Sequence, residues 1–171
     1  MRTILGVLVG AVLVIGCAGT AGTSASAAAS AAASPSGAFG GTVEYQMDGG
    51  PASTTIDATA EGSTLSGTAV TTFKGTTHTV RIGCAAQKSG GWVVGGTVEK
   101  TTVHGESPGA WSAVIVKDGT PQRIAIWLSA DRSEASDCDA FVASLDPAEF
   151  GDADLAPIES GSLVPPPAPA S

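Results

Sequence analysis

The chain has 171 residues, of which 43% are hydrophobic and only 14% are charged, and Asp and Glu outnumber Lys and Arg by 16 to 8. Its length is that of one domain with tails. From Asp131 onward, nine carboxylates face a single cation, Arg132. This negative balance argues against nucleic acid as a partner and against direct docking of the protein surface on an anionic membrane.

The N-terminal residues predict export. Arg2 precedes an apolar run over residues 4–15, which is shorter than the roughly twenty residues that a membrane-spanning helix needs. The run ends in Val14-Ile15-Gly16-Cys17, which resembles the lipobox of bacterial lipoproteins. The resemblance implies cleavage after residue 16, acylation of Cys17 and a lipid anchor in the outer face of the cell membrane. The alternative is an ordinary secretory signal, cut near the later Ala-rich stretch, with Cys17 discarded.

The composition divides the rest of the chain into three parts. Residues 17–39 follow the predicted signal peptide of residues 1–16 and are mostly Ala, Ser, Thr and Gly, which is typical of a flexible tether with a reach of roughly 25 Å. A single β domain is predicted over residues 40–164. Residues 165–171 form a Pro-rich tail that cannot join a sheet.

Alternating apolar and polar residues predict β-strands through most of the domain. The pattern, with its Gly and Pro turns, indicates an all-β fold of about seven or eight antiparallel strands, either a sandwich or a small barrel. The residues expected to share one face of each successive strand are Val43, Tyr45 and Met47; Ile56, Ala58 and Ala60; Leu65, Gly67, Ala69, Thr71 and Phe73; His78, Val80, Ile82 and Cys84; and Trp92, Val94, Gly96 and Val98.

The clearest hairpin covers residues 111–128 around the turn Asp118-Gly119-Thr120-Pro121. We expect residue 116 to pair with residue 123. This register places Trp111, Ala113, Ile115, Ile124, Ile126 and Leu128 on a core face. The opposite face of the hairpin is mixed in polarity. Its residues Trp127, Val114 and Arg123 form a candidate contact surface, and the alternative is that residues 139–156 cover this face.

Cys84 and Cys138 form an even pair in an exported protein, so we predict a disulfide between them. The bond would close a loop of about 55 residues and stabilise the domain by about 4 kcal/mol. The alternative is a free buried thiol beside a reactive one. After Cys138 we expect a long loop with one helical turn, followed by a last strand near residues 157–164.

Five segments follow one another in a recognisable order: Val80-Arg81-Ile82-Gly83-Cys84, Trp92-Val93-Val94-Gly95-Gly96, Val116-Lys117-Asp118-Gly119, Asp137-Cys138 and Pro157-Ile158-Glu159-Ser160-Gly161. Together they resemble a recurrent type of small exported domain in actinobacteria, the high-GC Gram-positive bacteria. The resemblance covers roughly residues 76–164 and supports the disulfide and the β architecture, but it implies no activity.

The sequence offers no strong catalytic or metal-binding motif. His104 and Glu106 lie in one loop and could form a catalytic set with a serine, but no nucleophile-elbow motif accompanies them. The carboxylates of residues 131–139 do not have the spacing of an EF-hand. We therefore expect no metal, no cofactor and no enzymatic activity.

The expected function is that of an anchored, non-enzymatic binding module that contacts an envelope component or a protein through the mixed sheet face and the acidic loop. Two alternatives remain. One is a carrier that holds an apolar small molecule or lipid inside a barrel. The other is a hydrolase built around His104.

Overall fold

The computed structural model describes residues 36–129 and 137–168. Eight antiparallel strands follow one another in chain order and close into a barrel. Beyond the strands, the described residues contain one short helix, α1 (Cys138–Ala143), and one 3-10 turn (Pro147–Glu149). The strands are β1 (Ser36–Met47), β2 (Gly50–Glu61), β3 (Thr64–Phe73), β4 (Thr76–Lys88), β5 (Gly91–Thr101), β6 (Trp111–Lys117), β7 (Arg123–Ser129) and β8 (Ala156–Val164).

The structure confirms the all-β prediction and shows that the architecture is a barrel rather than a sandwich. Strand β1 begins at Ser36, four residues before the predicted start of the domain. None of the helical segments in the described ranges is long and apolar enough to cross a membrane.

The two ends of the barrel differ. The end that we call the mouth carries the turns at residues 48–49 and 74–75 and the loop of residues 102–110. The opposite end, which we call the closed end, carries the turns at residues 62–63 and 89–90 and the loop at residues 118–122. There the Gln87 side chain donates a hydrogen bond to the carbonyl oxygen of the buried residue Pro166, at 2.6 Å.

The barrel interior is filled by side chains from alternating strand positions, because successive residues of a strand point to opposite faces of the sheet. The predicted faces of β1, β2, β3 and β5 are confirmed. Residues buried in the main core are Phe39, Val43, Tyr45, Ala52, Ile56, Ala58, Ala69, Val80, Ile82, Trp92, Val94, Val114, Val116, Ile124 and Leu163.

A second apolar cluster lies on the outside of the barrel, where the segment after β7 packs over β4–β6. Phe141 and Val142 of α1 contribute to it, and the Phe141 ring stacks on Trp111 with centroids 5.9 Å apart. The confirmed Cys84–Cys138 disulfide fastens α1 to β4. Gly95 permits this close packing, since a Cβ atom there would lie 2.5 Å from Val142 Cγ1.

The predicted register of the β6–β7 hairpin is wrong by one residue. Residue 116 pairs with residue 124, and residue 117 pairs with residue 123. Val114 and Val116 therefore belong to the interior core, whereas Ala113 and Ile115 belong to the outer cluster. The prediction failed because the interior core buries one face of β6 and the outer cluster buries the other, so the alternation of its residues carries little information.

Cys84 also lies on a different face from the one predicted. A shift in the β4–β5 register between Ile82 and Cys84 is typical of a β-bulge, which re-aims the side chains that follow it. Val80 and Ile82 consequently remain in the interior, and Cys84 belongs to the outer cluster beneath α1.

Candidate functional site

Two of the three residues predicted as a contact surface lie on the outer face of β7. Trp127 is 43% exposed. Arg123 donates hydrogen bonds through Nη1 to the carbonyl oxygens of Asp152 (3.0 Å) and Leu155 (3.2 Å). Val114 was wrongly assigned to this surface, because it is 3% exposed and packs inside the barrel.

A groove runs beside Trp127, between β7 and the segment that follows α1. We call it the outer groove. It has a volume of about 630 Å³. The residues that line it are Ala125, Ile126, Trp127, Ser144, Leu145, Asp146, Glu149, Phe150 and Asp154.

The outer groove has an aromatic wall. The Trp127 and Phe150 rings meet edge to face, with centroids 5.6 Å apart and planes at 82°, an arrangement that aromatic pairs prefer. Phe150 belongs to residues 139–156, the segment predicted as a possible cover for Trp127. This cover is partial, since the indole keeps a large accessible surface.

The groove is also acidic, because three of its lining residues are carboxylates and none is Lys or Arg. Two of the carboxylates are fixed by backbone groups. Asp146 Oδ1 accepts from the N–H of Ala148 at 2.9 Å, and Asp154 Oδ2 accepts from the N–H of Gly151 at 3.1 Å. Glu149 is exposed. Three carboxylates therefore share the groove with the exposed indole, while the cations Lys117 and Arg123 bond to residues at its border, Lys117 to the carbonyl oxygen of Phe150 at 2.9 Å.

Strand β7 borders the groove with a partly unpaired edge. Within the described part of the chain, β8 pairs with β7 at only two positions, Arg123 with Pro157 and Ile124 with Ala156. Residues 125–129 pair with β6 alone. Their outward N–H and C=O groups are available to another extended chain, as at other strand edges.

The barrel mouth holds a relay of polar side chains. His78 Nδ1 lies 2.7 Å from Glu106 Oε2, and His78 Nε2 lies 3.0 Å from Ser112 Oγ. Thr101 Oγ1 donates to the same Glu106 oxygen at 2.6 Å. Since an ionised carboxylate only accepts hydrogen bonds, we place the ring proton of His78 on Nδ1, which donates to Glu106. Nε2 then accepts a hydrogen bond from the Ser112 hydroxyl.

The relay has the order of a Ser–His–acid set, but its histidine is His78, and His104 is exposed in the neighbouring loop. Ser112, the residue in the nucleophile's position, is 0% exposed. An attacking hydroxyl must be reachable by substrate and must face donors for the oxyanion. The arrangement in this conformation satisfies buried polar groups, and it gives the hydroxyl no approach path.

Beside the relay is a cavity of about 240 Å³, which we call the mouth pocket. Apolar side chains dominate its walls, and Glu106 and His78 supply polar groups. The full lining is Met47, Asp48, Thr71, Phe73, Thr76, His78, Val103, Glu106, Ile126 and Leu128. The interior below is occupied by large side chains such as Trp92 and Tyr45, which disfavours a long apolar ligand running through the barrel.

Two predicted features fall partly or wholly outside the described residues. Cys17 lies outside them, as do residues 131–136 of the acidic cluster. Of the remaining part of that cluster, Asp137 caps α1, accepting from the N–H of Ala140 at 2.8 Å. Across residues 36–129 and 137–168, no group of three or more His, Cys, Asp or Glu residues is arranged to hold a metal ion.

Comparison with known proteins gives no match, since no protein-family model, no curated protein and no solved structure is similar to this chain.

Proposed function

We propose that this protein is a non-enzymatic binding module, held at the outer face of the cell membrane by acylated Cys17, and that it binds an extended cationic segment of a partner protein in the outer groove. The observation that carries the proposal is the coincidence, along one groove, of an unpaired strand edge, an exposed tryptophan and three carboxylates.

The strand edge supports binding of an extended chain. A peptide that lies along residues 125–129 would add a strand to β7 and satisfy outward backbone groups there. Such backbone hydrogen bonds supply affinity with little dependence on sequence. Side chains of the added strand alternate, so every second one would face the Trp127 side of the sheet.

The charge and the aromatic wall support a cationic sequence. Lys or Arg side chains would meet Asp146, Glu149 and Asp154 across the groove. A cation above the Trp127 indole would gain a further cation–π contribution of about 0.5–1 kcal/mol at an exposed site. An acidic segment would be repelled by the same three carboxylates.

A titration with short synthetic peptides tests the proposal. The probe is a terminally blocked hexapeptide of alternating Lys and Val, and its controls are the Glu–Val analogue and a Lys–Val peptide that is N-methylated along both edges. Isothermal calorimetry should show binding of the unmodified Lys–Val peptide only. Equal binding of the Glu–Val analogue would contradict the cationic specificity, and equal binding of the N-methylated peptide would contradict strand addition.

Charge reversal at Glu149 tests whether the Lys–Val peptide binds in the outer groove. We expect Glu149→Lys to weaken Lys–Val peptide binding by about tenfold, the equivalent of about 1.4 kcal/mol, because it replaces an attraction with a repulsion. The matched control is Asp57→Lys on β2, also an exposed carboxylate on the outer face of the barrel. It should change affinity much less, and an equal loss in both variants would show only a general charge effect.

A further inference from the structure

The mouth pocket is a second candidate site, and it adjoins the outer groove at Ile126. Its volume of about 240 Å³ equals roughly eight water molecules at about 30 Å³ each, so it suits a ligand of about eight non-hydrogen atoms. Phe73, Ile126 and Leu128 line it and provide an apolar surface. The pocket therefore accommodates the body of a small apolar molecule.

One carboxylate gives the pocket a specific polar group. The Glu106 side chain is only 11% exposed. Both hydrogen bonds that it receives, from Thr101 and His78, end on Oε2. Within the described part of the protein, Oε1 receives none, although each carboxylate oxygen has capacity for about two hydrogen bonds. Oε1 is consequently an open acceptor on a nearly buried anion.

The acceptor is held in place before any ligand arrives. Thr101 links Glu106 to the loop, because its hydroxyl donates to Glu106 and also accepts from the N–H of Val103 at 3.0 Å. His78 is held in turn by Ser112. Fixing these groups in advance reduces the entropy that a ligand would lose on binding.

The charge of Glu106 favours a cation at its end of the pocket. At the other end, the Lys74 ammonium lies 2.9 Å from the carbonyl oxygen of Asp48 and 4.8 Å from the centroid of the Phe73 ring. Among the described residues, Glu106 has no Lys or Arg partner. A nearly buried carboxylate with no cation beside it gains from a ligand that supplies one.

We infer that the mouth pocket binds a small primary amine, with its ammonium group donating to Glu106 Oε1 and its apolar body lying against Phe73, Ile126 and Leu128. The ligand differs from the extended chain proposed for the outer groove, although Ile126 lines both sites. It also differs from a lipid carrier, because the filled interior limits the ligand to the mouth.

The test uses benzylamine, which has eight non-hydrogen atoms, and its neutral isostere benzyl alcohol. Met47 lines the pocket, and the chain contains only two methionines, so methyl-labelled methionine gives a local NMR reporter. We expect benzylamine to shift the Met47 methyl signal saturably and to bind at least tenfold more tightly than benzyl alcohol. Equal affinities, or binding that leaves Met47 unshifted, would overturn the inference.

Substitution of Glu106 provides the second arm. Glu106→Gln keeps the side-chain shape and an oxygen acceptor but removes the charge, and it should weaken benzylamine binding at least tenfold. Glu99→Gln is the matched control, because Glu99 lies outside the pocket and bonds to Arg81 at 2.7 Å. Unchanged affinity in folded Glu106→Gln would refute the site.

A third variant covers the case in which Glu106→Gln does not fold. Leu128→Trp enlarges a residue at the pocket rim that is already 39% exposed and leaves the polar relay intact. It should abolish benzylamine binding while the thermal unfolding curve stays close to that of the original protein. Retained binding in this folded variant would contradict a ligand in the mouth.

Discussion

Tyr45 is the only tyrosine in the chain, and its phenol lies inside the barrel, where its hydroxyl is 2.9 Å from Thr54 Oγ1. Burial raises the pKa of Tyr45 above its usual value of 10.0, although the hydrogen bonds of Thr54 and Thr71 oppose the shift. The folded protein thus keeps the phenol protonated at a pH where the unfolded chain releases the proton.

This difference in pKa predicts a loss of stability in alkali. The stabilising contribution is complete below the unfolded pKa and is lost as the pH rises from about 10 through the folded pKa. Tyrosinate absorbance should rise at higher pH in the native protein than in denaturant, and Tyr45→Phe should reduce the slope of unfolding free energy against pH in this range. Coincident native and denatured titrations would contradict the burial of this phenol.

The polar relay shows why residue-level prediction reached only part of the site. His78 was correctly placed on the inward face of β4, and Glu106 was recognised as a candidate carboxylate. Their association could not be read from the sequence, because His78 is 28 positions from Glu106 and 34 positions from Ser112. The pairing of β4 with β5 and of β5 with β6 brings these positions together, and nothing local marks Ser112 among the many hydroxyl residues.

Among the strands, alternation of apolar and polar residues is most informative where one face of the strand is exposed to solvent. Alternation located the inward residues of β1 and β2 because their outward neighbours are largely exposed. Strand β6 is buried at five consecutive positions, so a shift of one residue in its register changed little in the pattern. Helix α1 covers the outward face of β6. The disulfide from Cys138, the first residue of α1, to Cys84, 54 residues earlier in the chain, holds the helix there.

A substitution at Gly95 tests whether the close packing of α1 on β5 stabilises the protein. A methyl group there would press on Val142 Cγ1, at 2.5 Å, and on the sulfur of Cys84, at 3.2 Å. We expect Gly95→Ala to lower the free energy of unfolding by about 1–3 kcal/mol through overpacking, as measured by urea denaturation.

The control for this variant is Gly83→Ala on β4, where the added methyl group would have only an ordinary contact with the Cys138 sulfur at 3.8 Å. It should change stability by much less. A Gly95→Ala variant as stable as Gly83→Ala would show that α1 can move away from the sheet without cost.

The barrel as a whole has its mouth and the start of β1 at opposite ends. Strand β1 starts at Ser36, beside the turn at residues 62–63 of the closed end. Residues 36–39 therefore belong to the barrel and not to the predicted tether of residues 17–39.

The anchor itself makes a simple prediction. Cys17→Ser removes the thiol that acylation requires, so the protein should move from the membrane fraction to the soluble fraction after cell lysis and centrifugation. Retention in the membrane fraction at the original level, in a variant whose mass shows that residues 1–16 have been removed, would rule out acylated Cys17 as the attachment. The Cys84–Cys138 disulfide and the barrel should be unaffected, which thermal unfolding would verify.

Site-specific photo-crosslinking in intact cells tests directly whether the outer groove binds a cationic segment of a partner protein. A benzophenone side chain would replace Trp127 in the outer groove or, as a control, Thr72, which is exposed on β3 on the opposite side of the barrel. We expect an adduct at position 127 alone, joined to a Lys- or Arg-rich extended segment of another protein. No adduct at position 127, or the same adducts from both positions, would contradict binding through the outer groove.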